Sequence, residues 1–142
     1  MPRSAVASVV QLVAGMLLIV ATLAMPWSLY KSASPPVTTG FRSGSLGILL
    51  ILLGVASIGL SLRSLAHSSR ELQRVHLVVG CSAIVVSVVL ALRKISAANH
   101  FLAEGGGHTS YATGAAFAVL ASIAIALTSF VRLADAKARR RG

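Results

Sequence analysis

The sequence contains very little acid: only 3 Asp and Glu residues among 142. None of the three lies in the four long apolar stretches that make up most of the chain. Acidic groups inside a membrane are costly and usually functional, and proton-coupled carriers normally place at least one in a span. The absence of such a group argues against proton coupling.

Cysteine is nearly absent as well. The chain contains a single cysteine, Cys81, so no intramolecular disulfide can form. A lone cysteine inside an apolar stretch is usually a small buried apolar residue, and we expect that role here.

What the chain does contain is four uncharged apolar stretches, at residues 5–27, 46–62, 75–92 and 111–131. A helix of about 20 residues crosses a hydrocarbon core. With 56% hydrophobic and 11% charged residues, the chain has too little polar surface for a soluble monomer. The sequence therefore predicts an all-α integral membrane protein, a four-helix antiparallel bundle forming a single domain over residues 1–142.

The net charge of +10 reflects membrane topology and does not indicate nucleic-acid binding, because the basic residues flank the spans and form no single face. Cytoplasmic flanks collect Lys and Arg. Nine basic residues fall on one side: Arg3, Arg63, Arg70, Arg74, Arg132, Lys137, Arg139, Arg140 and Arg141. Four fall on the other: Lys31, Arg42, Arg93 and Lys94. This asymmetry predicts cytoplasmic N and C termini. The first stretch is long for a signal peptide, so we expect it to remain as a helix.

The ends of the first and last spans carry aromatic residues suited to the headgroup region. Trp27, Tyr30 and Tyr111 are the predicted interface anchors. Pro26 perturbs the last turn of the first helix, and the loop that follows is rich in Pro, Gly, Ser and Thr. We expect an exposed, irregular connection there, with at most a short extended piece.

The third helix is predicted to be longer than its span. Ser68 and Glu71 have the spacing of a capping box, which places the helix start near Ser69. Helical spacing of apolar residues then continues to Glu104 and the glycines at 105–107. This helix should extend beyond the outer membrane surface, with Arg93 and Lys94 at headgroup level.

Small residues recur at spacings that favour close helix packing in lipid. Ser110, Gly114, Ala118, Ser122 and Ala126 form a stripe on the fourth span, Ala83, Ser87 and Ala91 form one on the third, and Gly47 belongs to the second. They predict tight left-handed packing of the bundle.

Candidates for chemistry are few. Gln11 is the most deeply placed amide, and we interpret it as an interhelical bond, with a ligand contact as the alternative. His76 is a weak candidate for a haem ligand, because a second axial ligand at its depth is missing. His100, Glu104 and His108 are weak metal candidates, because the glycines interrupt their spacing of four. Hydroxyl residues in the spans cannot serve as nucleophiles without a base within reach, and no catalytic residues are predicted. No cofactor is expected.

The basic tail at residues 132–142 has two interpretations. Basic side chains close to the inner leaflet would attract anionic lipid, or they would serve only as a topology anchor. The residues concerned are Arg132, Lys137, Arg139, Arg140 and Arg141.

Two segments of the sequence are similar to those of a known group of proteins: Met25-Pro26-Trp27, and the approach to the last helix, Gly107-His108-Thr109-Ser110-Tyr111. The chain resembles a loose group of small four-helix membrane proteins from high-GC bacteria, which often have Leu-Pro-Trp at the first position. Here Met25 replaces the leucine. The resemblance implies the four-helix layout over the whole chain and supplies no activity.

Together these features favour a non-catalytic accessory or assembly subunit of a larger membrane complex, packing through small-residue helix faces. Its partners would be the lipid bilayer, other integral membrane subunits and anionic lipids, and not nucleic acid. Two alternatives stay open: a small homo-oligomeric transporter or holin-like pore, and a membrane enzyme subunit whose cofactor comes from a partner.

Overall fold

The structure, a computed structural model, describes residues 3–30, 37–39, 44–67, 69–103, 109–111 and 113–138. These residues form four helices, which confirms the predicted bundle: α1 (Arg3–Leu23), α2 (Ser45–Ala66), α3 (Arg70–Ala103) and α4 (Thr113–Ala138). They also form three short strands: β1 (Pro26–Tyr30), β2 (Val37–Thr39) and β3 (Thr109–Tyr111). The strands pair antiparallel in the order β2-β1-β3, a small sheet that the sequence did not predict.

All four helices are long and apolar enough to cross a membrane, so the chain is an integral membrane protein in contact with the bilayer. At 1.5 Å per residue, the 34 residues of α3 extend about 51 Å, against a hydrocarbon core of about 30 Å. The excess confirms the predicted extension of the third helix. Its candidate membrane span ends at Lys94, and its last residues lie beyond that span.

The helix ends follow local signals. α1 ends at Leu23, before the predicted Trp27, because a residue that precedes proline disfavours the helical region and Pro26 begins β1. α2 follows Gly44, whose φ of 73° is readily adopted by glycine. At the start of α3 the Ser69 hydroxyl accepts a hydrogen bond from the Leu72 backbone N–H. The helix therefore starts where it was predicted to, while Ser68 of the proposed capping box lies outside the described residues.

The helices pack as a ring in which α1 contacts α2 and α4, and α3 contacts α2 and α4. Both termini of the described chain and the α2–α3 connection lie at one end, which we call the termini end. The sheet lies at the other, the sheet end, because β1 follows α1 and β3 precedes α4. Trp27, Tyr30 and Tyr111 all belong to this sheet.

The interior of the bundle is small and polar, whereas large aliphatic side chains face outward. Buried positions alternate at spacings of three and four, the period typical of left-handed bundles. In α2 the buried residues are Gly47, Leu50, Gly54, Ser57, Ser61 and Ser64. In α3 they include Gln73, His76, Gly80, Ala83, Ser87 and Leu90. This distribution is suited to a protein surrounded by lipid, because the hydrocarbon contacts the aliphatic surface.

Most of the predicted packing residues lie in the interior. Gly47, Ala83, Ser87, Gly114, Ala118 and Ser122 are buried, and Ala91 and Ala126 are partly buried. The helical packing role predicted for Ser110 is wrong: this residue lies in β3, paired with Leu29, because α4 starts only at Thr113. The burial predicted for Cys81 is also wrong, since this α3 residue is exposed on the outer face.

The closest helix contacts occur at glycines that the sequence analysis did not single out. A Cβ placed at Gly80 would lie 2.7 Å from the backbone nitrogen of Ala126 in α4. A Cβ at Gly54 would lie 2.6 Å from Cγ1 of Ile19 and 3.1 Å from the carbonyl oxygen of Gly15 in α1. Glycine therefore sets the distance between the α3 and α4 backbones and between those of α1 and α2.

Candidate functional site: a buried polar cluster

Polar side chains from all four helices meet inside the termini end of the bundle. Each helix supplies two of them: Ser8 and Gln11 from α1, Ser57 and Ser64 from α2, Gln73 and His76 from α3, and Ser129 and Arg132 from α4. We call these eight residues the polar cluster. Arg132 is half-buried and the other seven are buried. Polar groups gathered within a membrane bundle are functional candidates.

The shallow layer of the cluster lies within about 9 Å of the helix ends, from the residue offsets at 1.5 Å each. Ser64 is its centre. The Ser64 hydroxyl oxygen accepts hydrogen bonds from Gln73 Nε2 at 3.1 Å and from Arg132 Nη1 at 3.0 Å. It also lies 3.1 Å from Ser8 Oγ, to which Arg132 Nη1 donates at 3.0 Å. One serine thus connects α2 to the other three helices.

The deep layer lies about 9–14 Å from the same helix ends. Gln11 Nε2 donates to Ser129 Oγ at 2.8 Å. Ser57 Oγ lies 3.1 Å from His76 Nε2 and donates to the backbone carbonyl of Gln11 at 3.4 Å. Gln11 Nε2 also lies 3.5 Å from Gln73 Oε1, which joins the two layers.

The described contacts of the Gln11 amide are made by its nitrogen. Ser129 donates its one hydroxyl proton to the carbonyl oxygen of Ile125 at 2.9 Å and accepts from Gln11 Nε2 at 2.8 Å. Gln73 donates through Nε2 to Ser64, which leaves its Oε1 to face Gln11. The Gln11 oxygen is therefore directed away from these partners.

Two buried atoms of the deep layer have no hydrogen-bond partner among the described residues: Gln11 Oε1 and His76 Nδ1. Their side chains are fully buried. Leaving a buried polar group unsatisfied costs about 1–3 kcal/mol, so such groups call for a structural or functional explanation.

Toward the sheet end the cluster is closed by apolar side chains. Leu18, Leu50 and Ile125 are fully buried about 20–24 Å from the helix ends at the termini end. At a similar depth the buried Ser87 and Ser122 hydroxyls lie 3.4 Å apart, and the latter donates to the carbonyl of Ala118. The polar cluster is therefore a site at one end of the bundle and not part of a continuous polar path.

The structure confirms the interhelical bond predicted for Gln11. It places His76, the weak haem candidate, in the cluster with Nε2 directed to Ser57. For the metal candidates, His100 lies in α3, whereas Glu104 and His108 lie outside the described residues. Within the part of the chain that is described, no three His, Cys, Asp or Glu residues form a group suited to a metal ion.

The predicted basic tail is largely helical. α4 continues to Ala138, and Arg132 turns into the cluster to donate to Ser8 and Ser64. Lys137 is exposed in the last turn of α4, and Arg139, Arg140 and Arg141 lie outside the described residues. Arg132 therefore has an interhelical role that its place in a run of basic residues did not suggest.

The absence of catalytic residues stays a prediction. One serine does have a base within reach, because Ser57 Oγ lies 3.1 Å from His76 Nε2. Ser57 and His76 lie within the distance of a nucleophile and its base, while the Ser57 hydroxyl donates its proton to the Gln11 carbonyl. However, His76 Nδ1 has no described partner to orient the ring as such sites require. The sequence does contain one signal for the cluster: three helices each carry two polar residues that are three positions apart and lie at the same end of the bundle. The pairs are Ser8 and Gln11, Gln73 and His76, and Ser129 and Arg132.

Fold and site together define a class: a four-helix integral membrane protein with a two-layered polar cluster inside one end. Comparison with known proteins adds no relative, since the chain matches no protein-family model, no curated protein and no solved structure.

Proposed function

We propose that this protein is a non-catalytic accessory or assembly subunit of a larger membrane complex. The observation that carries the proposal is an open notch on the outer face of α2, formed by Ala56 and Gly59. Both residues are exposed, and a Cβ at Gly59 would meet no atom within 4 Å. Small residues on a lipid-facing surface let a helix of another protein approach closely.

This notch differs from the close contacts inside the bundle. Gly15, Gly54 and Gly80 each pack against a neighbouring helix of the same chain. Gly59 lies between the exposed aliphatic side chains of Val55 and Leu62 and faces away from the bundle. Its shape suits a ridge of side chains on a partner helix.

The structure changes the mode of packing that the sequence suggested. The small-residue stripes of α3 and α4 are buried against each other within one chain, so they are not available to a partner. A partner must therefore contact the outer surface, where large aliphatic residues surround the notch.

The alternatives fit the geometry less well. A path through one bundle would have to pass the fully buried Leu18, Leu50 and Ile125. A pore between several copies would be lined by the aliphatic outer faces. Such a lining excludes water and therefore obstructs the passage of ions. An enzyme based on Ser57 and His76 would need a group to orient His76 Nδ1.

We predict that Gly59→Leu abolishes capture of a partner. Leucine fills the notch but meets no atom of its own chain, so the bundle should fold normally. The measurement is native mass spectrometry of complexes extracted under mild conditions from the source cells. The wild type should carry a stoichiometric partner, which the variant loses. Ala116→Leu, which adds the same bulk at an exposed small position of α4, is the matched control and should retain the partner. Extraction of the wild type without any stoichiometric partner contradicts the proposal.

Location and orientation are part of the same proposal: a bacterial cytoplasmic membrane, with both termini in the cytoplasm. The excess of Lys and Arg at the termini end supports this orientation. The Met25-Pro26-Trp27 resemblance supports the bacterial assignment. Lys137 and the basic residues at 139–141 would lie beside anionic lipid, each attracted by about 1 kcal/mol.

Orientation has a direct test. In a Cys81→Ser background, a cysteine introduced at Gly142 should resist a membrane-impermeant maleimide in intact cells and react after permeabilisation. A cysteine introduced at Ser34, which comes between β1 and β2 in the sequence, should show the opposite pattern. Labelling of the residue-142 cysteine in intact cells would overturn the assigned orientation.

A further inference from the structure

We propose that the deep layer of the polar cluster binds a neutral hydroxyl-bearing group, through Gln11 Oε1 and His76 Nδ1. This inference is independent of the accessory role. It starts from the fact that both atoms belong to fully buried side chains and have no hydrogen-bond partner among the described residues.

The two atoms belong to residues that both contact Ser57. Ser57 Oγ lies 3.1 Å from the other ring nitrogen of His76, Nε2, and 3.4 Å from the backbone oxygen of Gln11. Reversing the Gln11 amide would let its oxygen accept from Ser129, but it would leave Gln11 Nε2 buried without an acceptor. In either orientation one polar atom of this amide lacks a partner within the cluster, and in the orientation described here that atom is an oxygen that requires a donor.

The chemistry of His76 restricts the class of group that could bind. If Ser57 turns its one proton from the Gln11 carbonyl to His76 Nε2, then Nδ1 carries a proton and requires an acceptor. If Nε2 donates to Ser57, then Nδ1 is an acceptor and requires a donor. A hydroxyl group serves in both cases because it donates and accepts, and it also supplies the O–H that Gln11 Oε1 requires.

The charge of the cluster restricts the chemical class of the ligand further. None of the eight cluster side chains carries a carboxylate, and the shallow layer contains the guanidinium of Arg132. A cationic donor such as an ammonium would be repelled by this guanidinium and would find no anion in the cluster. Neutral O–H donors are therefore favoured over N–H donors that carry charge.

Depth indicates where such a group could come from. Gln11 lies eight residues from the start of α1 and His76 six from the start of α3, or about 9–12 Å from the helix ends. Both residues therefore lie inside the hydrocarbon region, closer to the membrane surface at the termini end than to the opposite surface. Hydroxyl groups can reach this end from a glycerol headgroup at the surface and from a soluble polyol in the water phase. The shared chemistry is a neutral hydroxyl group.

The test uses the full chain in phosphatidylcholine nanodiscs that contain either phosphatidylglycerol or phosphatidylserine. These lipids carry the same net charge, and only phosphatidylglycerol has a headgroup with two neighbouring hydroxyls. Lipid retained per chain is counted by native mass spectrometry. We expect retention of phosphatidylglycerol to exceed that of phosphatidylserine about tenfold, the effect of one hydrogen bond of about 1.4 kcal/mol.

Two further measurements separate binding from structure. Gln11→Met removes the oxygen that lacks a partner and should abolish the preference, whereas Ser61→Ala, at a buried serine outside the cluster, should keep it. In a variant with His67, His100 and His108 replaced by Gln, the side-chain ¹⁵N resonances of His76 should shift with phosphatidylglycerol. A shift with soluble glycerol alone identifies a soluble polyol as the ligand and supports the same chemistry. Equal retention of both lipids, together with no His76 shift by glycerol, would overturn the proposal.

Discussion

Replacing Gly80 by leucine is expected to prevent α3 and α4 from packing and to cost at least about 3 kcal/mol of stability. A Cβ at this position would lie 2.7 Å from the Ala126 nitrogen and 2.8 Å from its Cα. Overpacking of a well-packed core typically costs about 1–3 kcal/mol. Here the obstructing atoms are backbone, which cannot rotate away, so the helices must separate. The polar cluster would then lose its bonds between α3 and the other helices.

Thermal unfolding in detergent, followed by circular dichroism, measures this effect. Gly59→Leu is the matched control, because it adds the same side chain to a helix glycine with open space around it. It should leave the midpoint close to that of the wild type. Equal midpoints for the Gly80 and Gly59 variants would mean that α3 and α4 do not approach as closely as the structure has them.

Ser64→Ala is expected to destabilise the bundle by about 2 kcal/mol, a large effect for the loss of one hydroxyl group. Ser64 Oγ contacts Ser8, Gln73 and Arg132, one residue from each of the other helices. Interhelical hydrogen bonds in membranes average about 0.6 kcal/mol, with a maximum of about 1.7. Three contacts at one atom, one of them to a charged donor, account for the expected loss.

Ser61→Ala provides a stringent comparison in the same helix. Ser61 is as buried as Ser64, but its hydroxyl donates to the carbonyl of Ser57 in its own helix. Removing this local bond should change the unfolding midpoint little. If the two alanine variants have the same stability, the shallow layer does not hold the helices together, and the cluster must be attributed to another role.

The sequence predicted the helices well because their signals are local. Each uncharged stretch is long enough to span the membrane, and the Ser69 hydroxyl and the glycines after Ala103 limit α3 from both sides. The sheet was missed because it joins very short strands from distant parts of the chain, with Leu29 paired to both Val37 and Ser110. Three to five residues carry too little pattern to predict such pairing.

The site was less predictable than the fold. Gln11 and His76 were noted one at a time, and Ser64, Gln73 and Ser129 were not noted as candidates at all. Arg132 was interpreted as part of a basic tail. Whether a polar residue on a helix faces lipid or a neighbouring helix depends on how that helix is rotated in the bundle, and an almost uniformly apolar helix gives little indication of its rotation.

The sequence by itself determined that this is a four-helix membrane protein, because a hydrocarbon core requires long uncharged helices and leaves few other solutions. Only the tertiary structure decided which faces meet. Glycine at 54 and 80 allows the backbones to approach, small stripes are buried within the chain, and eight polar side chains meet in two layers. The physical reason is that membrane insertion depends on total apolar content, whereas packing depends on contacts between residues far apart in sequence.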